Sequence, residues 1–341
     1  MNNKTLLFIA TLIITASTTY YFFKKQHQPI TAFSYRIAIF EPASHPAMDE
    51  IAQGFTDTIT KNSKAHYTFD RYNANGNKTL LRAQAEEIIH NNYDLIMTIG
   101  ADPTRTLHEL TSKKNITTPI VFNAVSDPIG LGIIASRTSS GNNLTGIEEV
   151  HNYDDQLNKL LQIKPTTKNL LLVYDPVIKA GIHETWAQEV TELARKKGIA
   201  IHYAKIFHTN EIQSKVQPFM QNIDTILIFT DHTTVSGVDS LITLCNRYGV
   251  TLYASDLNSG DKGAALSYGV IQYDLGVDAG YVALKILDDK KSPQSIPIIE
   301  PTTKRLKINT TTASKQGLNL SLTQLEEIKK NGGIIRNNKN D

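Results

Sequence analysis

The sequence predicts an α/β protein built as two similar, doubly wound parallel-sheet lobes. Three observations predict it. Short apolar runs such as residues 95–99 and 225–229 are bounded by polar turns. Helix-length amphipathic segments separate them. The order strand–helix–strand–helix–strand that begins near residue 35 begins again near residue 169. Apolar runs separated by helices belong to parallel sheets covered on both faces, and 341 residues suffice for two domains.

Residues 35–40 read as the first strand, 49–60 as an amphipathic helix and 67–72 as an alternating strand. Residues 79–90 are a helix, with Leu80, Ala83, Glu87 and Ile88 at helical spacing. Residues 95–99 and 120–122 are short apolar strands. The pattern restarts with a strand at 169–174, a helix at 184–197 stopped by Gly198, and a strand at 199–206. Residues 210–220 are helical until Pro218, 225–229 a strand, 236–248 a helix and 251–254 a strand. One further helix, 275–287, precedes Pro- and Thr-rich extended segments. The last helix is 321–330, and the polar tail 331–341 is expected to fray. Seams near 148–153 and 268–274 assign 34–149 plus about 270–296 to one lobe, and 150–269 plus about 297–320 to the other. More than one crossing makes a hinge around a cleft, and open parallel sheets bind ligands beyond the carboxyl ends of their strands.

Ahead of this lies an uncharged apolar stretch, residues 5–23, with Lys4 before it and Lys24 and Lys25 after it. It is long enough to cross a bilayer. It runs past Ala16 and Ser17 without ending, and Tyr20 and Tyr21 suit an interfacial aromatic belt. An uncleaved single anchor is favoured over a cleaved signal. Either fate gives an extracytoplasmic chain, anchored or secreted.

With 35 basic and 33 acidic residues well mixed, the charge argues against a nucleic-acid partner. Cys245 is the only cysteine, which excludes an intramolecular disulfide, an all-cysteine metal site and a redox pair. No GxGxxG follows the first strand, and no GxxxxGK[ST], HExxH, GxSxG or His/Cys metal cluster is present. No cofactor, metal or catalytic constellation is therefore expected.

Loops after the predicted strands carry the candidate binding residues. Ser44 either caps the first helix or meets ligand, and His45 faces the cleft. Asp102 and Pro103 open a helix whose free amides suit a carboxylate or phosphate, and Thr104 adds a hydroxyl. Asn123 and Ser126 offer neutral hydrogen bonds; Asp127 offers a charge or closes a turn before Pro128. Residues 141–146 read as a turn at the lobe boundary. In the second half Tyr174 ends a strand, and Asp231 and Asp256 are the candidates to hold an ammonium. His232 follows Asp231. Tyr174 belongs with Phe40, Phe122, Phe229, Tyr253 and Tyr268 to a set of aromatics near strand ends, core residues of which a few would stack on a ligand.

At these loops the chain resembles the substrate-binding proteins of bacterial ABC importers, in the family that includes tryptophan- and tyrosine-binding receptors. The matching segments are 45–49 (HPAMD), 94–96 (DLI), 119–128 (PIVFNAVSDP), 141–146 (GNNLTG), 230–232 (TDH), 263–265 (GAA) and 273–276 (YDLG). They run in order through nearly the whole exported part. The resemblance implies two flavodoxin-like lobes on a multi-strand hinge, of the type I periplasmic-binding-protein kind, with a closed bound state. It implies amino-acid uptake by a monomer working with a membrane permease and an ATPase. Asp102-Pro103 stands where the family has Thr-Pro, His232 where it has Asn, and 175–181 lacks its Asn-Ser. The lipid-anchor cysteine is absent. A zwitterion with an aromatic or apolar side chain would set its carboxylate on helix-start amides near Thr104 and Ser44, and its ammonium on Asp231 or Asp256. Asn123 and Asp127 would orient it. Two alternatives stay open: a membrane-tethered sensing module, and a receptor for another small metabolite.

Overall fold

The computed structural model describes residues 34–176, 182–301 and 303–337. The apolar segment 5–23, most of the stretch 175–181 and the last four residues lie outside them. Among the described residues no helix is long and apolar enough to cross a membrane.

Two sheets form the frame. The first has the order β2-β1-β3-β4-β5, all parallel, from β1 (Ser34–Glu41), β2 (His66–Asn73), β3 (Leu95–Ile99), β4 (Ile120–Val125) and β5 (Leu144–Glu148). Interior β3 is buried along its whole length, whereas edge strand β2 is only partly covered. That difference produces the continuous apolar run in one and the alternation in the other. The linking helices are α1 (Pro46–Asn62), α2 (Lys78–His90) and α3 (Ala101–Lys114).

The second sheet contains β6 (Asn169–Tyr174), β7 (Ala200–Lys205), β8 (Thr225–Ile228), β9 (Thr251–Ala254), β10 (Leu266–Val270), β11 (Lys304–Asn309) and β12 (Ile334–Arg336). Its order is β12-β11-β10-β9-β8-β6-β7. The ladders from β7 to β10 are parallel, and β11 runs antiparallel to β10. Around it lie α4 (Tyr153–Ile163), α5 (Ile182–Lys196), α6 (Ile212–Val216), α7 (His232–Ser236), α8 (Val238–Tyr248) and α9 (Leu257–Lys262).

Several expectations need correction. The segment 141–146 is a turn only as far as Asn143; Asn142 and Asn143 fix it by bonds to the Leu144 amide and the Thr118 carbonyl, and β5 follows. The helix expected at 210–220 breaks into α6 flanked by two 3₁₀ turns, the second carrying Pro218, which cannot donate to the helix ladder. The tail does not fray through 331–336. A capping box of Ser321 and Gln324 starts α11 (Leu322–Lys330), and β12 then pairs in parallel with β11.

Helix α10 (Gln272–Leu287) follows β10 but packs on α1, over the first sheet. Gly54, Gly276 and Gly280 let the two helices meet almost backbone to backbone. Ile51, Phe55, Ile59, Leu275 and Ala279 fill the same core. Full burial of each large member is worth about 1.5–3 kcal/mol.

The chain passes between the sheets three times: after β5, between β10 and α10, and before β11. The third passage starts zipped to β5, with Glu148 N donating to Ile299 O (2.9 Å) and Ile299 N to Gly146 O (3.0 Å). Arg137 ties the first and third together. Its guanidinium holds the buried Glu148 carboxylate at 2.6 and 2.7 Å and Glu300 at 2.8 Å. Arg137→Ala would leave Glu148 charged without its partner. A loss of about 2 kcal/mol is expected, below the usual cost for a buried pair because Arg137 is half in solvent. Urea unfolding measures it, and a loss under about 0.5 kcal/mol would show that the clamp is dispensable.

Candidate functional site

The carboxyl ends of both sheets supply the loops named from the sequence, and most of their side chains serve the fold locally. Ser44 is exposed, and its hydroxyl accepts from Asn73 Nδ2 (2.8 Å). The residue capping α1 is His45, whose Nδ1 accepts from the Ala47 amide (3.2 Å), with Pro46 in the first position. Ser44 is thus not the cap, because the helix begins one residue later. Gly100 at φ 87° precedes α3. Asp102 is the second helical residue, exposed and 3.6 Å from Arg105, and Pro103 is the third rather than the first. Thr104 is fully buried; its hydroxyl meets Thr98 Oγ1 and the Gly100 carbonyl, each at 2.7 Å.

Asn123 is fully buried on β4, and its Nδ2 donates to Leu275 O on α10 (2.8 Å). Its Oδ1 is buried without a hydrogen-bond partner. Ser126 donates to Glu149 Oε2 (3.2 Å), linking the end of β4 to the first crossing. Asp127, at φ 49° and exposed, accepts from Gly130 N (2.9 Å), so it closes the turn.

In the second lobe Tyr174 is fully buried, donating to Glu184 Oε2 (3.0 Å) with its ring 5.9 Å from Phe229. Asp231 and Asp256 do the same job twice. Asp231 caps α7, its two oxygens taking the Thr234 amide (2.7 Å) and hydroxyl (2.9 Å). Asp256 caps α9, taking the Ser259 amide and hydroxyl, both at 2.7 Å. Burial pushes the Asp231 carboxyl up to about 6 and raises Asp256 as well. His232 is the first residue of α7. His45 belongs to the electrostatic surroundings of Asp256, and Glu50 to those of Asp261 and Lys307. The start of α1 therefore faces α9 across the lobes.

A recess lies at the hinge, where all three crossings meet. Glu149, Val150 and His151 from the first crossing line it, with Gly269 and Val270 from the second, Pro301 and Lys304 from the third, and Gln156, Ser255 and Leu275. It spans about 370 Å³ counted to its open mouth, and its enclosed part has room for about one water molecule. His151 Nε2 lies 3.8 Å from Glu149 Oε2, an ion-pair distance but too long for a hydrogen bond. Lys304 Nζ sits 5.8 Å from the centre of the Tyr268 ring, whose hydroxyl donates to Asp155 Oδ2 (2.8 Å). Burial holds the Lys304 ammonium below the usual lysine range. Behind His151 stands an aromatic cluster. Trp186, the only tryptophan of the chain, is 4.3 Å from His151, and Tyr153 lies 5.3 Å from Phe229. The Tyr153 hydroxyl is buried there without a hydrogen-bond partner.

Of the residues named from the sequence, Ser126 reaches this recess through Glu149 and Asn123 through Leu275. Glu149, His151, Gln156, Lys304 and Trp186 were not named. For Glu149 and His151 the signal was the seam at 148–153; Gln156, Trp186 and Lys304 lie outside both seams and carried none. Among the described residues no group of three or more His, Cys, Asp or Glu side chains could hold a metal ion.

Comparison with known proteins adds four findings. The family model described as ABC transporter substrate binding protein matches residues 36–330. A Clostridioides difficile protein named as tyrosine-binding is 23% identical over 266 residues, 77% of this chain and 75% of its own. A Streptococcus pneumoniae ABC domain solved with L-Trp superposes with TM-score 0.76 at 22% identity, covering 89% of this chain and all of that one. An open, ligand-free substrate-binding protein with adhesive properties from Clostridium difficile gives TM-score 0.71 at 21% identity, covering 89% and 100%.

Proposed function

The chain belongs to the ABC transporter substrate-binding protein family, and from that premise we propose that it captures a small amino acid outside the cytoplasm. The lobes would close on the ligand, and a membrane permease coupled to an ATPase would receive it. An aromatic or apolar side chain is favoured. The observation that carries this reading is the hinge recess, which sets Glu149 and Lys304 in one small space beside apolar Val150, Val270 and Leu275. A zwitterion matches two opposite charges, and the His151–Trp186–Tyr153 cluster beside it suits a flat side chain. Relatives named for tyrosine or solved with L-Trp support the same class. Because the enclosed room is small, entry requires the lobes to part, and the bound state gains by its contacts to both.

Calorimetric unfolding of the purified chain against the twenty amino acids, sugars and nucleosides tests this. Aromatic amino acids at one hundred times Kd should stabilise it by about 2.7 kcal/mol, a rise of about 5 °C. A rise with a sugar or nucleoside alone would discard the amino-acid reading.

A further inference from the structure

We propose that the ligand is anchored at the hinge itself, its carboxylate on Lys304 and its ammonium on Glu149, and not at the strand-end residues Asp231 and Asp256. This rests on the amino-acid reading above. Asp231 and Asp256 already spend both carboxylate oxygens on the amide and hydroxyl of their own helix starts. Each is a local cap that folds α7 or α9.

Lys304 is placed differently. It is half-buried in the recess, and among the described residues it has no ion pair within 4 Å. Its ammonium leans on the Tyr268 face, and Lys159 Nζ lies 5.6 Å from the same ring. Asp155, whose charge acts on Lys304, accepts the Tyr268 hydroxyl. A partly desolvated cation without a direct counter-ion is costly, and a ligand carboxylate would remove that cost. The lowered affinity of Lys304 for its proton has the same origin, burial ahead of the pull of Asp155 and Glu149.

Glu149 lies in the same recess on the first crossing, oriented by Ser126 from the end of β4. A ligand held by Glu149 and Lys304 would bridge the first and third crossings, the pair that Arg137 clamps through Glu148 and Glu300. Binding there would stiffen the segments about which the lobes turn. Of the remaining walls, Val150, Val270, Leu275 and Pro301 are apolar and would take the side chain, while His151, Gln156 and Ser255 add polar groups.

Titration calorimetry with L-tryptophan, L-tryptophanamide and 3-indolepropionate on the wild-type chain, Lys304→Gln, Lys304→Arg and Glu149→Gln separates the possibilities. The wild type should bind L-tryptophan at least about 30-fold more tightly than either analogue. Lys304→Gln should lose about the same factor for L-tryptophan and little more for the amide, since the carboxylate contact is already gone. Lys304→Arg should stay within about fivefold of wild type. Glu149→Gln should weaken L-tryptophan and spare indolepropionate. Tight L-tryptophan binding that survives both Lys304→Gln and Glu149→Gln would overturn the hinge site and leave the amino-acid reading intact. Equal wild-type binding of tryptophan and either analogue would overturn the two-charge anchor without any variant. No binding of any aromatic amino acid by the wild type would overturn both.

Discussion

Gly276→Val is expected to cost more than about 4 kcal/mol and to leave the lobe around β1–β5 without a stable fold. A Cβ at this position would fall on the Ile51 carbonyl and close to the Phe55 amide. Both obstacles are backbone of α1, so no side chain can swing aside. One turn later Gly280 meets Thr58, and Gly54 on α1 meets the Tyr273 carbonyl in return. Separating the helices would open the core that holds Ile51, Phe55, Leu275 and Ala279. Gly276→Ala should cost about 1–3 kcal/mol by overpacking. Gly76→Ala is the control: Gly76 has positive φ and nothing within 4 Å of a Cβ, so it should lose only about 1 kcal/mol. Circular dichroism on heating reads all three, and a Gly276→Val midpoint within 2 °C or so of wild type would contradict the close helix approach. A folded Gly276→Ala chain should also bind ligand less well, since α10 carries Leu275 and follows directly on Val270, both in the wall of the recess.

How far such features were legible depends on whether their cause is local. Strands β3 and β8 are wholly buried interior strands, so their composition announced them. β5 did not announce itself. It carries Gly146 at φ 159° and two apolar residues, and its strand character comes from pairing with β4 and Ile299. Helices α7 and α9 have five and six residues, too short to show a period. Their only local signal is an aspartate three residues ahead of Thr234 or Ser259, which reads equally well as a charged binding residue. The same ambiguity shaped the site. Asp231, Asp256 and Thr104 were named for residue types that binding sites share with caps and buried turns, and folding uses them. Glu149 and Lys304 meet only after the chain has crossed three times, and no spacing in a sequence records that.

Asp231→Asn should raise stability by about 2 kcal/mol at pH 7.5 and by almost nothing near pH 4. In the folded chain the Asp231 carboxyl is pushed up to about 6, above the ordinary aspartate range, and burial is the main cause, ahead of repulsion from Asp175. Its folded pKa is raised, so the stability linked to its protonation is fully present below the unfolded value. That stability is lost as pH rises through about 6. The whole shift corresponds to about 3 kcal/mol. Asparagine keeps the acceptor for the Thr234 amide and carries no charge to desolvate, but it gives up part of the interaction with the helix dipole. Urea unfolding of both chains at pH 4, 6 and 7.5 should show a gap that opens with pH; parallel curves would mean that Asp231 does not titrate in this window. The same variant separates the two ammonium sites. An ammonium on Asp231 would need the carboxylate, so affinity for L-tryptophan would fall as pH drops below about 6, and Asp231→Asn would abolish binding. With the ammonium on Glu149, Asp231 remains a cap, and Asp231→Asn should bind L-tryptophan within about threefold of wild type across the range.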